Sequence, residues 1–239
     1  MQGIPARRTA TGPVAATQAR SAPCSRCRLA TSCLPAGLAP GDVERLGDIV
    51  FPRAPLVRGQ RLVRADEPLE RLFIVRGGCL RTSVTTEDGR EQVIGFHLPG
   101  DVVGIDPGLD RGRRSTIVAL ERTNLCAVAF EDLHRLGSTV PGLQEQVDRL
   151  LGHEIAGQRE HLVMMGRMTA HRRLALFLRG WSGRMARAGF SEVQLPLPMS
   201  RGDIASYLGL AEETVSRAVS RLQAQGVVHV RGRHVRIVD

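Results

Sequence analysis

The sequence contains no lysine, and all 33 of its basic residues are arginine. With heavy use of alanine and glycine, this reads as the imprint of a GC-rich bacterial genome rather than a functional choice. The first 41 residues hold five arginines and no acid. That composition is shared by organellar transit peptides, and a disordered tail accounts for it equally well. No apolar run approaches the roughly 20 residues of a membrane-spanning helix and no secretory h-region is visible, so a cytoplasmic bacterial protein without membrane contact is expected. No nucleophile is paired with a base, no glycine-rich phosphate loop follows a strand, and the seven histidines are scattered. These absences argue against an enzyme.

The chain's 239 residues suffice for two modest domains. Its net charge of +9 is uneven: residues 166–239 carry +7, whereas residues 42–165 carry −3. A polyanion is the expected partner of the C-terminal half, with binding that weakens steeply in salt.

That half contains MSRGDIASYLGLAEETVSRAVSRLQAQ, residues 199–225. Ser200 and Asp203 read as an N-cap with an acid in the first turn. Ile204, Ala205 and Leu208 form one apolar face; Val215, Ala218, Val219 and Leu222 form another. Gly209 lies between, where a bend needs φ > 0. The spacing is that of a helix-turn-helix, against the alternative of an ordinary αα-hairpin. Glu213, Ser216 and Arg217, at i, i+3 and i+4, share the outer face of the second helix. In a major groove Arg can fork onto guanine, Glu can accept from cytosine N4, and Ser serves either way; the plainer reading is a solvated Glu–Arg pair. After Gly226, residues 227–230 and 235–238 alternate around Arg231-Gly232-Arg233-His234. This predicts a hairpin wing with a basic tip. Arg201, Thr214, Arg221 and Arg233 complete the expected DNA-contacting set.

Taken from the start, residues 1–20 read as a disordered tail. Cys24, Cys27 and Cys33 follow with C-x2-C-x5-C spacing. In a cytosolic chain such dense thiols are metal or cluster ligands more often than disulfides. Three local thiolates leave one ligand to come from elsewhere, and the remaining cysteines are Cys79 and Cys126. Four thiolates suit zinc or an iron–sulfur cluster, and spacing alone does not decide. Residues 42–49 predict a short helix. From Phe51 to Phe130, short apolar runs separated by turn signals predict a β-barrel or β-roll. The runs are LFIVRGGCLRTSV, EQVIGFHLPGDVVGI and TIVALERTNLCAVAF. The turn signals are Arg58-Gly59-Gln60, Glu87-Asp88-Gly89, Pro99-Gly100-Asp101 and Arg111-Gly112.

Pro141 opens a long helix in which Leu151, Ile155, Gln158, Leu162 and Met165 step by four, three, four and three. That is a coiled-coil seam with one polar member, and it predicts a homodimer reading a palindrome; the alternative is a helix packed on its own domain. Residues 169–187 predict a further helix with Leu174, Phe177, Leu178 and Trp181 inside and Arg172, Arg173, Arg179 and Arg184 mainly outside. The implied divisions are a tail at 1–20, a sensor domain at 21–140, a dimerisation helix at 141–168 and a DNA-binding domain at 169–239.

A β-roll, a long helix and a winged helix in this order resemble the bacterial CRP/FNR superfamily, an α+β architecture. The match is most similar to its oxygen-responsive FNR branch, and three segments carry it: C-x2-C-x5-C, GREQVIGFHLPGDVVG and RGDIASYLGLAEETVSR. The resemblance implies a [4Fe-4S] cluster on Cys24, Cys27, Cys33 and Cys126. Cys79 has no counterpart and reads as a small buried residue in a strand. The resemblance also implies that Glu213, Ser216 and Arg217 read TTGA-type half-sites, and that loop 85–91 contacts RNA polymerase. The implied mechanism is linkage: the intact cluster favours the DNA-binding dimer, and oxygen removes the cluster. Arg26 and Arg28, beside the N-terminal cysteines in sequence, are candidates to offset the cluster's negative charge; the plainer reading is two solvated side chains. Two departures stand out. Gln158 replaces the branch's acidic seam residue, which predicts easier dimerisation without the cluster, and the Cys27–Cys33 linker is more basic than usual.

Three rival readings share the fold. Residues 100–104 and Arg114-Ser115 are similar to a cyclic-nucleotide phosphate segment, but Ile105 stands where a ribose-contacting Glu belongs. His97 is the natural ligand for a haem sensor. Four cysteines can also hold a purely structural zinc.

Overall fold

The computed structural model describes residues 24–64, 70–104 and 115–238. The expected tail at 1–20, the turn at Arg111-Gly112, and Ile105 and Arg114 lie outside the described residues.

A single 3-10 turn, Cys24–Arg26, leads through a turn-rich segment to α1, Pro40–Ile49. Eight strands follow: β1 (Phe51–Leu56), β2 (Arg61–Val63), β3 (Arg71–Gly77), β4 (Leu80–Thr85), β5 (Glu91–His97), β6 (Val102–Val103), β7 (Ser115–Ala119) and β8 (Thr123–Ala129). They form two four-stranded sheets, ordered β1-β8-β3-β6 and β2-β7-β4-β5. Each of the three apolar runs is cut in two, and its halves go to opposite sheets. Thus β3 and β4 part company at Gly77-Gly78, where Gly78 has φ 89° and a Cβ would lie 2.5 Å from the Arg122 carbonyl oxygen. Only glycine fits so close an approach in that region of φ. Between the sheets Leu62, Phe73, Val75, Leu80, Ile117 and Leu125 fill the interior. Cys79 is fully buried, as expected, but lies in the turn just before β4 rather than in a strand.

Helix α2 (Phe130–Gly137) returns the chain to α3 (Pro141–Arg167), whose 27 residues span about 40 Å. Pro at its first turn starts α3 where a missing N–H costs nothing. Helix α4 (Ala170–Arg187) buries Leu174, Phe177, Leu178 and Trp181, the expected face. Two of the arginines expected outside are drawn inward as ties. Arg173 donates to the carbonyls of Met165, Met168 and Leu208, and Arg184 donates to the Phe96 carbonyl and pairs with Asp101.

The C-terminal unit adds β9 (Gln194–Pro196), α5 (Arg201–Leu208), α6 (Glu212–Ala224), β10 (Val228–Arg231) and β11 (His234–Ile237). Ser200 and Asp203 close a full capping box on α5. Gly209, with φ 59°, ends α5 in the left-handed region, and a Cβ there would collide with Met165 Cε. The wing has three strands, ordered β10-β11-β9, not two. Three residues, Gln-Leu-Pro, carry too little alternation to announce a strand by themselves.

The two halves meet across one packed junction. Phe96 of β5, Phe177 and Trp181 of α4, and Tyr207 of α5 pack edge-on or tilted, with ring centroids 5.3–6.3 Å apart. His161 of α3 lies tilted over Tyr207 at 4.3 Å. Around these rings Arg81 pairs with Asp203 and Glu91, and the Val93 N–H donates to the Ser206 hydroxyl at 2.9 Å. Burial pushes the Asp203 carboxyl up, but bonds from Ser200 and the Arg81 guanidinium outweigh it and hold the group below its usual value. A carboxyl depressed on folding contributes stability above its unfolded value that is lost as pH falls through the depressed one. Thermal melts of wild type should therefore drop below about pH 4. Arg81→Met should cost about 1–2 kcal/mol at pH 7 and flatten that acid limb.

Candidate cysteine cavity and nucleic-acid interface

Four free cysteines, Cys24, Cys27, Cys33 and Cys126, line one cavity of about 30 Å³ together with Leu29, Leu34, Gly47, Ile74 and Arg76. Local hydrogen bonds shape the first three. The Cys27 N–H donates to the Cys24 carbonyl, Ala30 to Cys27, and Ala36 to Cys33. These tight turns wind the C-x2-C-x5-C segment around one point. Leu34, 1% exposed, anchors it in a core with Leu46, Ile74, Val102, Val128 and Leu143. Cys126 arrives on β8, opposite Ile74 of β3 and Pro52 of β1.

Burial pushes the Cys33 thiol up to about 12 and the Cys126 thiol up to about 11, with neighbouring sulfurs adding to both. Burial also raises Cys24, and Cys27 adds to the rise. Arg76 opposes the rise at Cys24 and Cys126 and hydrogen-bonds the latter. Four clustered thiols with one cation beside them suit a group that draws thiolates together and leaves negative charge to be offset. Among the described residues, no three His, Cys, Asp or Glu side chains already stand in a metal-ligating arrangement.

The cation at this cavity is Arg76, and neither Arg26 nor Arg28 is among its lining residues. Arg26 is exposed, and the Arg28 guanidinium lies over the Phe190 ring at 5.2 Å, beyond the end of α4. Arg76 follows Ile74 on the same face of β3, as period-two alternation requires. Its nearness to Cys126 follows from the β3–β8 register, which the sequence does not spell out.

On the opposite half, α6 presents Glu213, Arg217 and Arg221 to solvent, with Thr214 and Ser216 half-buried beside them. Val215, Ala218 and Leu222 are its buried face, so Glu213 and Arg217 of the expected trio face outward, with Ser216 at the margin. Arg201 opens α5, half-buried; Arg233 is exposed at the wing tip and steadied by a 3.1 Å bond to the Pro198 carbonyl. One edge of the domain thus carries a helix with base-reading chemistry and a basic hairpin tip.

Along α3, Ile155 is 52% and Leu162 70% exposed, and Leu151 is half-buried. Gln158 is exposed and donates to Glu154 at 2.9 Å. Met165 departs from the expected seam: its side chain meets Gly209 and Arg173 of its own chain. A position that packs the helix-turn-helix is not free to face a partner helix in the same way.

The rival ligand His97 sits within 2.8 Å of the Thr82 hydroxyl, and burial pushes its imidazole down, towards the neutral form. It is a half-buried histidine whose Nε2 is engaged by the Thr82 hydroxyl.

Comparison with known proteins agrees with both halves. A cyclic nucleotide-binding domain family matches residues 54–139, and a Crp-like helix-turn-helix family matches residues 172–239. The chain is 41% identical over 221 residues to the transcriptional activator protein FnrA of Stutzerimonas stutzeri, covering 92% of this chain and 90% of that one. It is 40% identical over 217 residues to the transcriptional activator protein anr of Pseudomonas aeruginosa, covering 90% and 88%. Among solved structures, FixK2 from Bradyrhizobium japonicum matches with a TM-score of 0.70 and 31% identity, over 80% of this chain and 93% of that one.

Removing the Arg217 guanidinium from the outer face of α6 should be felt at one base pair. Arg217→Ala is expected to weaken binding to a cognate duplex by about 1–3 kcal/mol and to relax the preference at a single position, measured by fluorescence anisotropy against single-base variants.

Proposed function

We propose an oxygen-sensing role for this chain, which belongs to the CRP/FNR family of DNA-binding transcriptional regulators. The family places it among regulators rather than enzymes. Its sensor is a [4Fe-4S] cluster on Cys24, Cys27, Cys33 and Cys126, and its active form is a homodimer on palindromic TTGA-type sites. The observation that carries this reading is the single cavity into which three N-terminal cysteines and the distant Cys126 all face.

When bound, the cluster supplies a core that four thiolates hold and that dioxygen degrades. The remaining work falls to the chain. The four cysteines lose their thiol protons to become ligands, which in the protein alone burial resists at Cys24, Cys33 and Cys126. Arg76 offsets the resulting negative charge. Leu34 of the cysteine segment and Leu143 at the start of α3 belong to one buried core, so the order of the segment is shared with that helix. Leu151, Ile155 and Leu162 of α3 bury their exposed aliphatic surface against the same helix of a second copy. Two α6 helices then present Glu213, Ser216 and Arg217 to successive major grooves, with Arg201, Thr214, Arg221 and Arg233 at the phosphates. The hairpin turn at 85–91, carrying Asp88 and Arg90 at the surface, is the face offered to RNA polymerase. DNA affinity then follows the population of the cluster-bound dimer.

Isolated without air, the protein should be brown, carry about four irons per chain, and lose both colour and DNA binding on exposure to air. Cys126→Ala should come out colourless while the winged helix keeps its thermal transition. A colourless wild type with one zinc per chain would replace the sensor by a structural metal site, and a Soret band would replace it by haem. Because Gln158 puts a neutral amide where a seam carboxylate would repel its counterpart in a second copy, the cluster-free protein should keep a measurable dimer fraction at micromolar concentration in sedimentation velocity.

A further inference from the structure

We infer that Gln146 is the positioning residue through which coordination at Cys33 sets the long helix α3, an inference that rests on the cluster reading above. Gln146 lies on the second turn of α3 and is 6% exposed. The buried polar side chains among the described residues are Ser83, Ser115, Thr123 and Gln146, and of these Gln146 is the one bonded to the cysteine segment. Its Nε2 donates to the Cys33 carbonyl at 3.0 Å. The same carbonyl accepts the Ala36 N–H at 3.0 Å, so Gln146 grips the turn that follows the ligand.

Packing tightens this grip. Leu34 and Leu143 are each 1% exposed and share one core. At Gly142 a Cβ would stand 3.1 Å from Leu38 Cδ2, so the first turn of α3 lies almost directly on residues 33–38. A ligand bond at the Cys33 sulfur restrains its side-chain torsion and, a few bonds away, the orientation of its carbonyl. Release of that bond lets the turn relax. A buried amide cannot exchange its lost acceptor for bulk water without cost, so the start of α3 must move with the turn. The far end of α3 is tied to the helix-turn-helix by Arg173, which donates to the Met165 carbonyl at 2.7 Å and the Leu208 carbonyl at 2.9 Å. A shift at Gln146 is therefore delivered along a continuous helix to Leu151, Ile155 and Leu162.

The test compares wild type with Gln146→Met, which keeps length and volume but loses the donor, and Gln146→Glu, which keeps the shape and places an acceptor against the carbonyl. Iron content and visible absorbance are read for each, then the dimer association constant with the cluster and without it. Both variants should retain wild-type iron and colour. The ratio of the two constants should fall about tenfold, the worth of one buried hydrogen bond, and amide exchange at Ala36 should quicken. A ratio within about twofold of wild type in a coloured variant overturns the inference and leaves the cluster reading intact. Loss of colour in both variants also overturns it, since Gln146 would then only support the ligand loop. A colourless wild type overturns the cluster reading and this inference with it.

Discussion

The antiparallel register of β3 against β8 is the constraint on which the N-terminal half depends. It sets Ile74 opposite Cys126 and thereby turns one sulfur towards a segment almost a hundred residues earlier in the chain. The same register brings Arg76, two residues beyond Ile74, to the cavity edge. A slip of one residue would send Cys126 to the other face of the sheet, among the aliphatic side chains between the sheets. The register is in turn held by what lies on that other face: Phe73 and Val75 from β3, Leu125 and Ala127 from β8, all buried. Thus an apolar core that contacts no ligand decides whether a fourth thiol is present.

A second constraint joins the halves. Asp203 completes the capping box of α5 and also pairs with Arg81 of the sensor. One carboxylate therefore stabilises the first helix of the DNA-binding motif and fixes that helix against β4 and β5. The rings of Phe96, Phe177, Trp181 and Tyr207 bury the space behind it, in a chain with only 3% aromatic residues. Spending half of so small a stock on one junction marks it as a surface whose geometry matters. The outer face of α6 stays open in this arrangement, so the junction orients the reading helix without covering it.

Much of the DNA-binding unit was legible because its information is local. Ser200 three residues before Asp203, Gly209 at the bend, and apolar residues at helical spacing in α5 and α6 each act within one or two turns of chain. The three crowded cysteines were legible for the same reason. Less visible were features that need two distant segments. Gly78 divides what reads as one apolar run into strands of opposite sheets. Arg173 and Arg184 read as surface charges, yet they find carbonyls and a carboxylate on other elements. Met165 fits a heptad step but turns to meet Gly209. Arg26 and Arg28 stand beside the N-terminal cysteines in sequence, while Arg76, the cation beside the thiols, stands far from them.

By itself the chain determined its elements, its helix-turn-helix, its sulfur inventory and the sign of its partner, because propensity, capping, periodicity and charge are properties of neighbours in sequence. Only the tertiary structure brought Cys126 and Arg76 to the cavity that the first three thiols line, and the Gln146 amide to the carbonyl of Cys33. Those outcomes depend on strand register and on buried groups finding partners across more than a hundred residues, and that search is resolved only when the whole core packs.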